Sequence, residues 1–255
     1  MQFMNNEKRE TLSKVPEVTL IFWIIKILAT TLGETAGDAV SMSMNAGYLI
    51  GTAVFAIIFV AAVVTQVSAK NFHPIIYWTT IIATTTVGTT LADFADRSLG
   101  IGYTGGSLIL FALLILTLFV WHRTTGSVAV DTVSSPQSEI FYWTTIMFSQ
   151  TLGTALGDWT ADTASLGYAG AAVIFGTLLV LVAAAYYWTK ISHTVLFWAA
   201  FILTRPLGAV VGDFLDKPRE EGGLALSRYF ASAVLLILIG MCIFLFKHRP
   251  AKRSH

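Results

Sequence analysis

A four-fold internal repeat constrains the fold of this 255-residue chain more than any other feature of its sequence. Each copy has a tryptophan, a glycine ten residues later, an aspartate five residues after that, and a second glycine nine residues further on. The copies begin at Trp23, Trp78, Trp143 and Trp198. Because chance does not reproduce one spacing four times, the sequence predicts four copies of a structural unit that pack against one another.

The composition indicates that these units lie in a membrane. Hydrophobic residues make up 55% of the chain and charged residues 12%, which is about half the charged fraction of a typical soluble domain. A net charge of +1 argues against a nucleic-acid partner, and a single cysteine excludes a disulfide framework and a thiolate metal site. We therefore expect an integral membrane protein whose surroundings are the lipid bilayer.

Eight apolar runs of about 20 residues predict eight transmembrane helices, two in each repeat. They cover residues 18–38, 48–68, 75–96, 103–121, 140–162, 168–188, 195–216 and 224–246. The predicted fold class is all-α, a polytopic membrane protein with eight transmembrane helices from four tandem two-helix repeats. The predicted membrane halves are residues 16–122 and 138–246, joined by a linker at residues 123–137. An N-terminal tail (1–15) precedes them and a basic tail (247–255) follows.

The two halves are related by a shift of 120 residues, because successive motif tryptophans lie 55, 65 and 55 residues apart. Each repeat has two spans, so all four enter the membrane in the same direction, with two pseudo-symmetric halves around an axis along the membrane normal. Ten lysines and arginines on the side of the termini, against four on the other, predict cytoplasmic termini. The motif tryptophans are then expected near the cytoplasmic interface.

With these motifs, the chain resembles a family of bacterial membrane proteins built from four tandem two-helix repeats of unknown function, each containing a tryptophan. The resemblance extends over residues 16–246. It implies the repeat architecture and a multi-pass location in the bacterial inner membrane. It implies no substrate, so the function has to be inferred from the residues of the repeated motif.

Eight of the fifteen acidic residues follow the core glycines of the four motifs. They are Glu34, Asp38, Asp93, Asp96, Asp158, Asp162, Asp213 and Asp216. At a rise of 1.5 Å per residue, each first aspartate lies roughly 7 Å beyond a glycine near the bilayer centre. A carboxylate at that depth costs on the order of 2.5–3.5 kcal/mol. The repeated acids therefore need partners, water or bound cations.

Helical spacing places oxygen-bearing side chains of each odd-numbered span on one face. The predicted cation-binding residues are Thr30, Glu34, Asp38, Asp93, Gln150, Thr154, Asp158, Asp162 and Asp213. No base adjoins the acids of the first and third motifs in the sequence, so these repeats are the preferred metal site. Its predicted ligands are Glu34, Asp38, Asp158 and Asp162.

The second and fourth repeats have a different charge pattern, which predicts a charge-balancing or proton-relay role. Asp96 and Asp216 are each followed by a base, so salt bridges at the outer rim are an alternative role for them. Arg205 lies within the seventh span and needs a counter-charge. It either neutralises a carboxylate of a neighbouring repeat or acts as a tethered cation. Lys26, about one turn into the first span, is expected to snorkel inward.

Hard oxygen donors without cysteine favour a divalent cation such as Mn²⁺. The leading hypothesis is therefore a secondary transporter or exporter of a small cation, with protons as the counter-ion. It would have no tightly bound cofactor and would not be an enzyme. No nucleotide-binding loop is present, so ATP would not drive it directly.

Two other classes of function stay open. One is a non-transporting membrane scaffold or sensor, and the other an intramembrane aspartyl enzyme, although a dyad needs two acids rather than four repeated ones. Glycine and alanine at four-residue spacing predict closely packed helices and leave a homodimer open.

Overall fold

The computed structural model describes residues 13–251, which form eight α-helices and no strand. Parts of the predicted tails, residues 1–12 and 252–255, lie outside the described residues. The helices are α1 (Leu20–Asp38), α2 (Gly47–Ser68), α3 (Pro74–Asp93), α4 (Tyr103–Thr125), α5 (Pro136–Asp158), α6 (Gly167–Trp188), α7 (His193–Asp216) and α8 (Arg228–Leu245). The all-α prediction is confirmed within this range.

Seven of these helices are long and apolar enough to cross a membrane, and the exception is α5. This helix carries Glu139, Gln150 and Asp158 together with several serines and threonines, which lower its hydropathy. Its neighbours are α3, α4 and α7, and those three polar side chains are buried, with Glu139 in an ion pair with Lys14 of the N-terminal segment. The helix is polar because it lies inside the bundle.

The eight helices form an inner ring and an outer layer. The inner ring is made by α1, α3, α5 and α7, each of which packs against the next, with α7 closing the ring on α1. In the outer layer, α2 packs on α3, α4 on α5, α6 on α7, and α8 on α1. The second helix of every repeat therefore packs chiefly on the first helix of the next repeat. The two halves predicted from the sequence are parts of one cyclic arrangement of four units.

The core glycine of each motif allows this close packing. A Cβ at Gly33 would meet Thr85, and the other three positions repeat the relation in cyclic order. They are Gly88 against Gln150, Gly153 against Arg205, and Gly208 against Thr30. Each repeat thus contacts the equivalent residue of its successor, which explains why a residue without a side chain recurs at this position.

The last glycine of each motif has a conformational role. Gly47, Gly102, Gly167 and Gly222 have φ angles of 76°, 76°, 65° and 87°. Residues with a Cβ rarely adopt this left-handed region. The glycines turn the chain from the odd-numbered helix into the even-numbered one, or, in the fourth repeat, into the connection before α8.

Three of the odd-numbered helices continue into a short π-helical turn directly after the motif aspartate. These turns are Ala39–Ser43, Phe94–Ser98 and Trp159–Thr163. The remaining odd-numbered helix, α7, has no such turn. It contains the buried Pro206, which lacks the backbone N–H of a regular helical residue. The fourth repeat is therefore distinct in its backbone as well as in its sequence. π-Helical turns occur frequently at functional sites.

Segments near both termini lie at one end of the bundle, which is called the terminal end below. Glu17 N donates to Arg249 O, and Lys14 N donates to Val133 O in the connection between the halves. The motif tryptophans also lie towards this end, but three of them are buried in the core rather than exposed at an interface. Trp78, Trp143 and Trp198 are 0%, 2% and 5% exposed. The expected interfacial role is thus corrected to core packing.

Candidate cation site

Three sets of equivalent residues on the inner helices follow one another from the terminal end to the opposite end. The aromatic layer consists of Phe22, Tyr77, Tyr142 and Phe197. The central layer consists of Thr30, Thr85, Gln150 and Arg205. The aspartate ring consists of Asp38, Asp93, Asp158 and Asp213. All twelve side chains are buried, so the axis of the bundle is filled by aromatic, polar and then acidic groups.

The aromatic layer closes the terminal end of the axis. The hydroxyls of Tyr77 and Tyr142 are 2.6 Å apart, and the ring centroids of Phe22 and Phe197 are 6.2 Å apart. The four residues belong to the main hydrophobic cluster, together with the motif tryptophans of α3, α5 and α7. A solute leaving the axis at this end would have to separate these rings.

Arg205 connects all four inner helices. Its Nη2 donates to Glu34 Oε2 on α1 at 2.9 Å and to Thr89 Oγ1 on α3 at 2.6 Å. It also donates to the hydroxyl of Thr154 on α5. On α7 itself the equivalent position is the buried Ala209, which has no polar side chain. The counter-charge of Arg205 is thus the carboxylate of the neighbouring first repeat.

Two bases clamp the aspartate ring across repeat boundaries. Lys217 Nζ lies 2.7 Å from Asp38 Oδ2 and 3.1 Å from Asp213 Oδ1. Arg97 lies 3.0 Å from Asp93 Oδ1 and 3.5 Å from Asp158 Oδ2. Arg97 and Lys217 are related by the 120-residue shift between the halves. The ring is therefore two acid–base–acid clamps with two-fold pseudo-symmetry.

Lys217 is held in its charged form by these neighbours. Burial lowers the pKa of Lys217, but the carboxylates of Asp213 and Asp38 outweigh that effect, so that its pKa lies above the usual lysine value. The clamp thus keeps a positive charge at the end of α7, where two carboxylates would otherwise repel each other.

The second acids of the even repeats differ from each other. Asp216 Oδ2 lies 3.3 Å from Arg228 Nε, whose guanidinium also lies 3.7 Å from Asp38 Oδ2. Asp96 is only half-buried, and no ion pair joins it to a described residue. The bases that follow these acids in the sequence, Arg97 and Lys217, pair instead with the first acids of the motifs. The predicted charge-balancing role is therefore supported for Asp216, which has a base beside it. Among the described residues Asp96 has no such base.

Two groups of buried carboxylates could each hold a metal ion. One is Glu34, Asp38 and Asp93, and the other is Asp38, Asp213 and Asp216. In each group one carboxylate oxygen per residue lies within 4.8 Å of the others. Among the described residues, Asp38 Oδ1, Asp93 Oδ2 and Asp216 Oδ1 have no hydrogen-bond partner although they are buried. Asp38 belongs to both groups, which makes it the centre of the candidate site.

The predicted pairing of the first and third repeats in one metal site needs correction. Glu34 and Asp38 lie with Asp93 or with the fourth-repeat acids, whereas Asp158 belongs to neither carboxylate group. The reason is the order of helices in the ring, because α1 neighbours α3 and α7 while α5 lies diagonally opposite. Asp162 is exposed in the π-helical turn after α5 and likewise belongs to neither group.

The expectation that the acids of the first and third repeats lack a base is also not met in three dimensions. Arg205, Lys217 and Arg97 lie beside Glu34, Asp38 and Asp158. These bases come from the second and fourth repeats. Arg97 and Lys217 could have been recognised from the sequence, because each follows a motif aspartate, Asp93 or Asp213, by four residues.

The neutral residues predicted to bind a cation have other contacts. The hydroxyl of Thr30 faces backbone carbonyls, with Oγ1 2.9 Å from Ile27 O and 3.2 Å from Thr204 O. The hydroxyl of Thr154 accepts from Arg205. Gln150 is fully buried in the central layer, and neither of its amide atoms has a partner among the described residues.

The fold and the site together define a class, a helical repeat protein with seven membrane-length apolar helices and a charged axis between its inner helices. Within that class, the chain belongs to the family described as Repeat of Unknown Function (DUF347). The family model matches residues 21–72, 76–127, 141–192 and 196–250. These four matches confirm the repeat family expected from the tryptophan motif. No curated protein and no solved structure matches the chain.

Proposed function

We propose that this protein is a secondary transporter that exchanges a small divalent cation such as Mn²⁺ for protons. The observation that carries the proposal is Asp38, a buried carboxylate shared by two groups of acids, each compact enough to ligate one ion. Buried carboxylate oxygens without partners are the ligands that hard divalent cations prefer.

The ion pairs support an exchange mechanism. The ammonium of Lys217 lies between Asp38 and Asp213, two members of one carboxylate group, and so holds the place that a substrate cation would take. A divalent ion binding there would have to displace Lys217 or draw the carboxylates away from it. This competition keeps the acids neutralised when no substrate is bound, which lowers the free-energy cost of their burial.

The layers along the axis support alternating access. The aromatic layer closes the terminal end, while the ion pairs of Arg97 and Lys217 close the aspartate ring at the other. Transporters built from repeats commonly bind substrate between related helices and open one side at a time. We further propose that all eight helices span a bacterial inner membrane with cytoplasmic termini, because α5 buries its polar residues within the ring.

The proposal is tested by Mn²⁺ flux into proteoliposomes that contain the purified full chain and a pH-sensitive dye. We expect Mn²⁺-dependent proton movement with the wild-type protein and a loss of at least ten-fold with Asp38→Asn. Asp162→Asn is the matched control, because this acid is exposed and belongs to neither group, and it should retain wild-type flux.

The same experiment separates the other classes of function. Absence of flux for Mn²⁺, Mg²⁺ and Ca²⁺, together with no thermal stabilisation of the detergent-solubilised protein by any of them, would refute a cation carrier and favour a scaffold or sensor. Equal flux in wild type and Asp38→Asn would also refute the proposed site.

A further inference from the structure

Lys26 is a buried amine without a counter-ion. The residue is 0% exposed, and its Nζ has no hydrogen-bond partner among residues 13–251. Its nearest recorded interaction is with the ring of Phe201, whose centroid is 4.1 Å from Nζ. The side chain reaches from α1 towards α7, inside the ring. A buried amine keeps its proton only beside an anionic partner and is otherwise neutral.

Arg205 has unused hydrogen-bonding capacity in the same region. All three of its side-chain hydrogen bonds come from Nη2, and Nε and Nη1 have no partner among the described residues. Phe201, which contacts Lys26, lies one helical turn before Arg205 on α7. Lys26 and Arg205 are thus neighbours on facing helices.

Two further buried polar side chains lie in the central layer and have no partner within the described part of the chain. Gln150 lacks a partner for both its amide nitrogen and its amide oxygen, and Thr85 lacks one for its hydroxyl. An amide N–H and a hydroxyl can both donate hydrogen bonds to an anion. The layer therefore supplies neutral donors in addition to Arg205.

The carboxylates of this region pair with other bases. Glu34 is the one carboxylate paired with Lys26 or Arg205 among the described residues, and its partner is Arg205. The remaining buried acids of the axis, which are Asp216 and the four aspartates of the ring, lie beside Lys217, Arg97 and Arg228. Among the described residues Lys26 therefore has no carboxylate partner, and its protonated form needs an anion from outside the chain.

We infer that the central layer and Lys26 form a binding site for a small monovalent anion such as chloride. The anion is held by the Lys26 ammonium and the free N–H groups of Arg205, with Gln150 and Thr85 as neutral donors. Its charge compensates the protonated Lys26 beside Arg205. The site adjoins the group of Glu34, Asp38 and Asp93 through the ion pair of Arg205 with Glu34, but it uses other donor groups and does not depend on the proposed cation transport.

The test is the thermal stability of the detergent-solubilised full chain, with chloride titrated against gluconate at constant ionic strength and without divalent metal. Wild type should show a saturable rise in Tm of about 2–4 °C. The rise should disappear in Lys26→Met and weaken in Gln150→Leu. Lys190→Met, which changes an exposed lysine in the connection before α7, is the matched control and should keep it.

Each outcome bears on the inference. No saturable chloride response in wild type would overturn it and would favour an uncharged Lys26. An undiminished response in Lys26→Met and Gln150→Leu would overturn the assignment to this layer. If Lys26→Met does not fold, Gln150→Leu alone decides the location. Asp38→Asn should lose Mn²⁺ flux and keep the chloride response, so that failure of one site is distinguishable from failure of the other.

Discussion

Loss of the Glu34 carboxylate should be one of the most destabilising changes available that preserve side-chain shape. Glu34→Gln removes the charge that faces Arg205 Nη2 at 2.9 Å and leaves the size of the side chain unchanged. The side chains of Arg205 and Glu34 are 0% and 3% exposed, so water cannot take the place of the lost partner. The guanidinium would keep two threonine hydroxyls as acceptors but no counter-charge.

The magnitude follows from the burial and the distance. Two unit charges about 4 Å apart interact with about 4 kcal/mol at an effective dielectric constant of about 20. Removing one member of a buried ion pair costs about 3–5 kcal/mol, because the other charge is left uncompensated. Removing both members costs far less, since no unpaired charge then stays in the interior. We expect Glu34→Gln and Arg205→Met each to lower the free energy of unfolding by about 3–5 kcal/mol.

A double-mutant cycle measures this interaction. Reversible unfolding in mixed micelles of increasing denaturing-detergent fraction gives the free energy of unfolding of wild type, Glu34→Gln, Arg205→Met and the double variant. The double variant should be more stable than the sum of the single changes predicts, by about 3 kcal/mol or more. Additive effects within about 0.5 kcal/mol would refute the argument that the two charges compensate each other in the interior.

Two further predictions concern packing and charge. Gly208→Ala should destabilise the protein by about 1–3 kcal/mol, because its Cβ would lie 2.5 Å from Thr30 Cβ. Gly240→Ala, which meets no atom within 4 Å, should have no such effect on thermal unfolding. The raised pKa of Lys217 means that its stabilising contribution is complete below about pH 10.4 and is lost only as pH rises through the higher folded value. The difference in Tm between wild type and Lys217→Gln should therefore be constant from pH 7 to pH 10, and a difference that disappears by pH 9 would contradict this.

Much of the fold could be predicted from periodic features of the sequence. The motif spacing, the apolar runs and the left-handed glycines are local properties, so the predicted spans begin and end close to the observed helices. The polar α5 illustrates the limit of this reasoning. Composition alone does not distinguish a helix that faces lipid from one that faces the interior of a bundle, and only the neighbours of α5 show which applies.

The candidate site was predictable in its acids but not in their grouping. Helical spacing places Glu34 and Asp38 on one face of α1, and the structure keeps them together. Spacing along one helix gives no information about which helix lies next to it, so Asp158 was assigned to the wrong partners and Lys217 was not recognised as a partner of Asp38.

The sequence by itself determined four equivalent helical units, long apolar helices and a set of acids repeated within them, because all of these depend on residues close together in the chain. Only the tertiary structure decided that the second helix of each unit packs on the next unit, and that α1 lies between α3 and α7. That order decides which charges meet. Arg205 reaches Glu34 and Lys217 reaches Asp38 because the ring closes the fourth repeat onto the first, across more than 170 residues of chain.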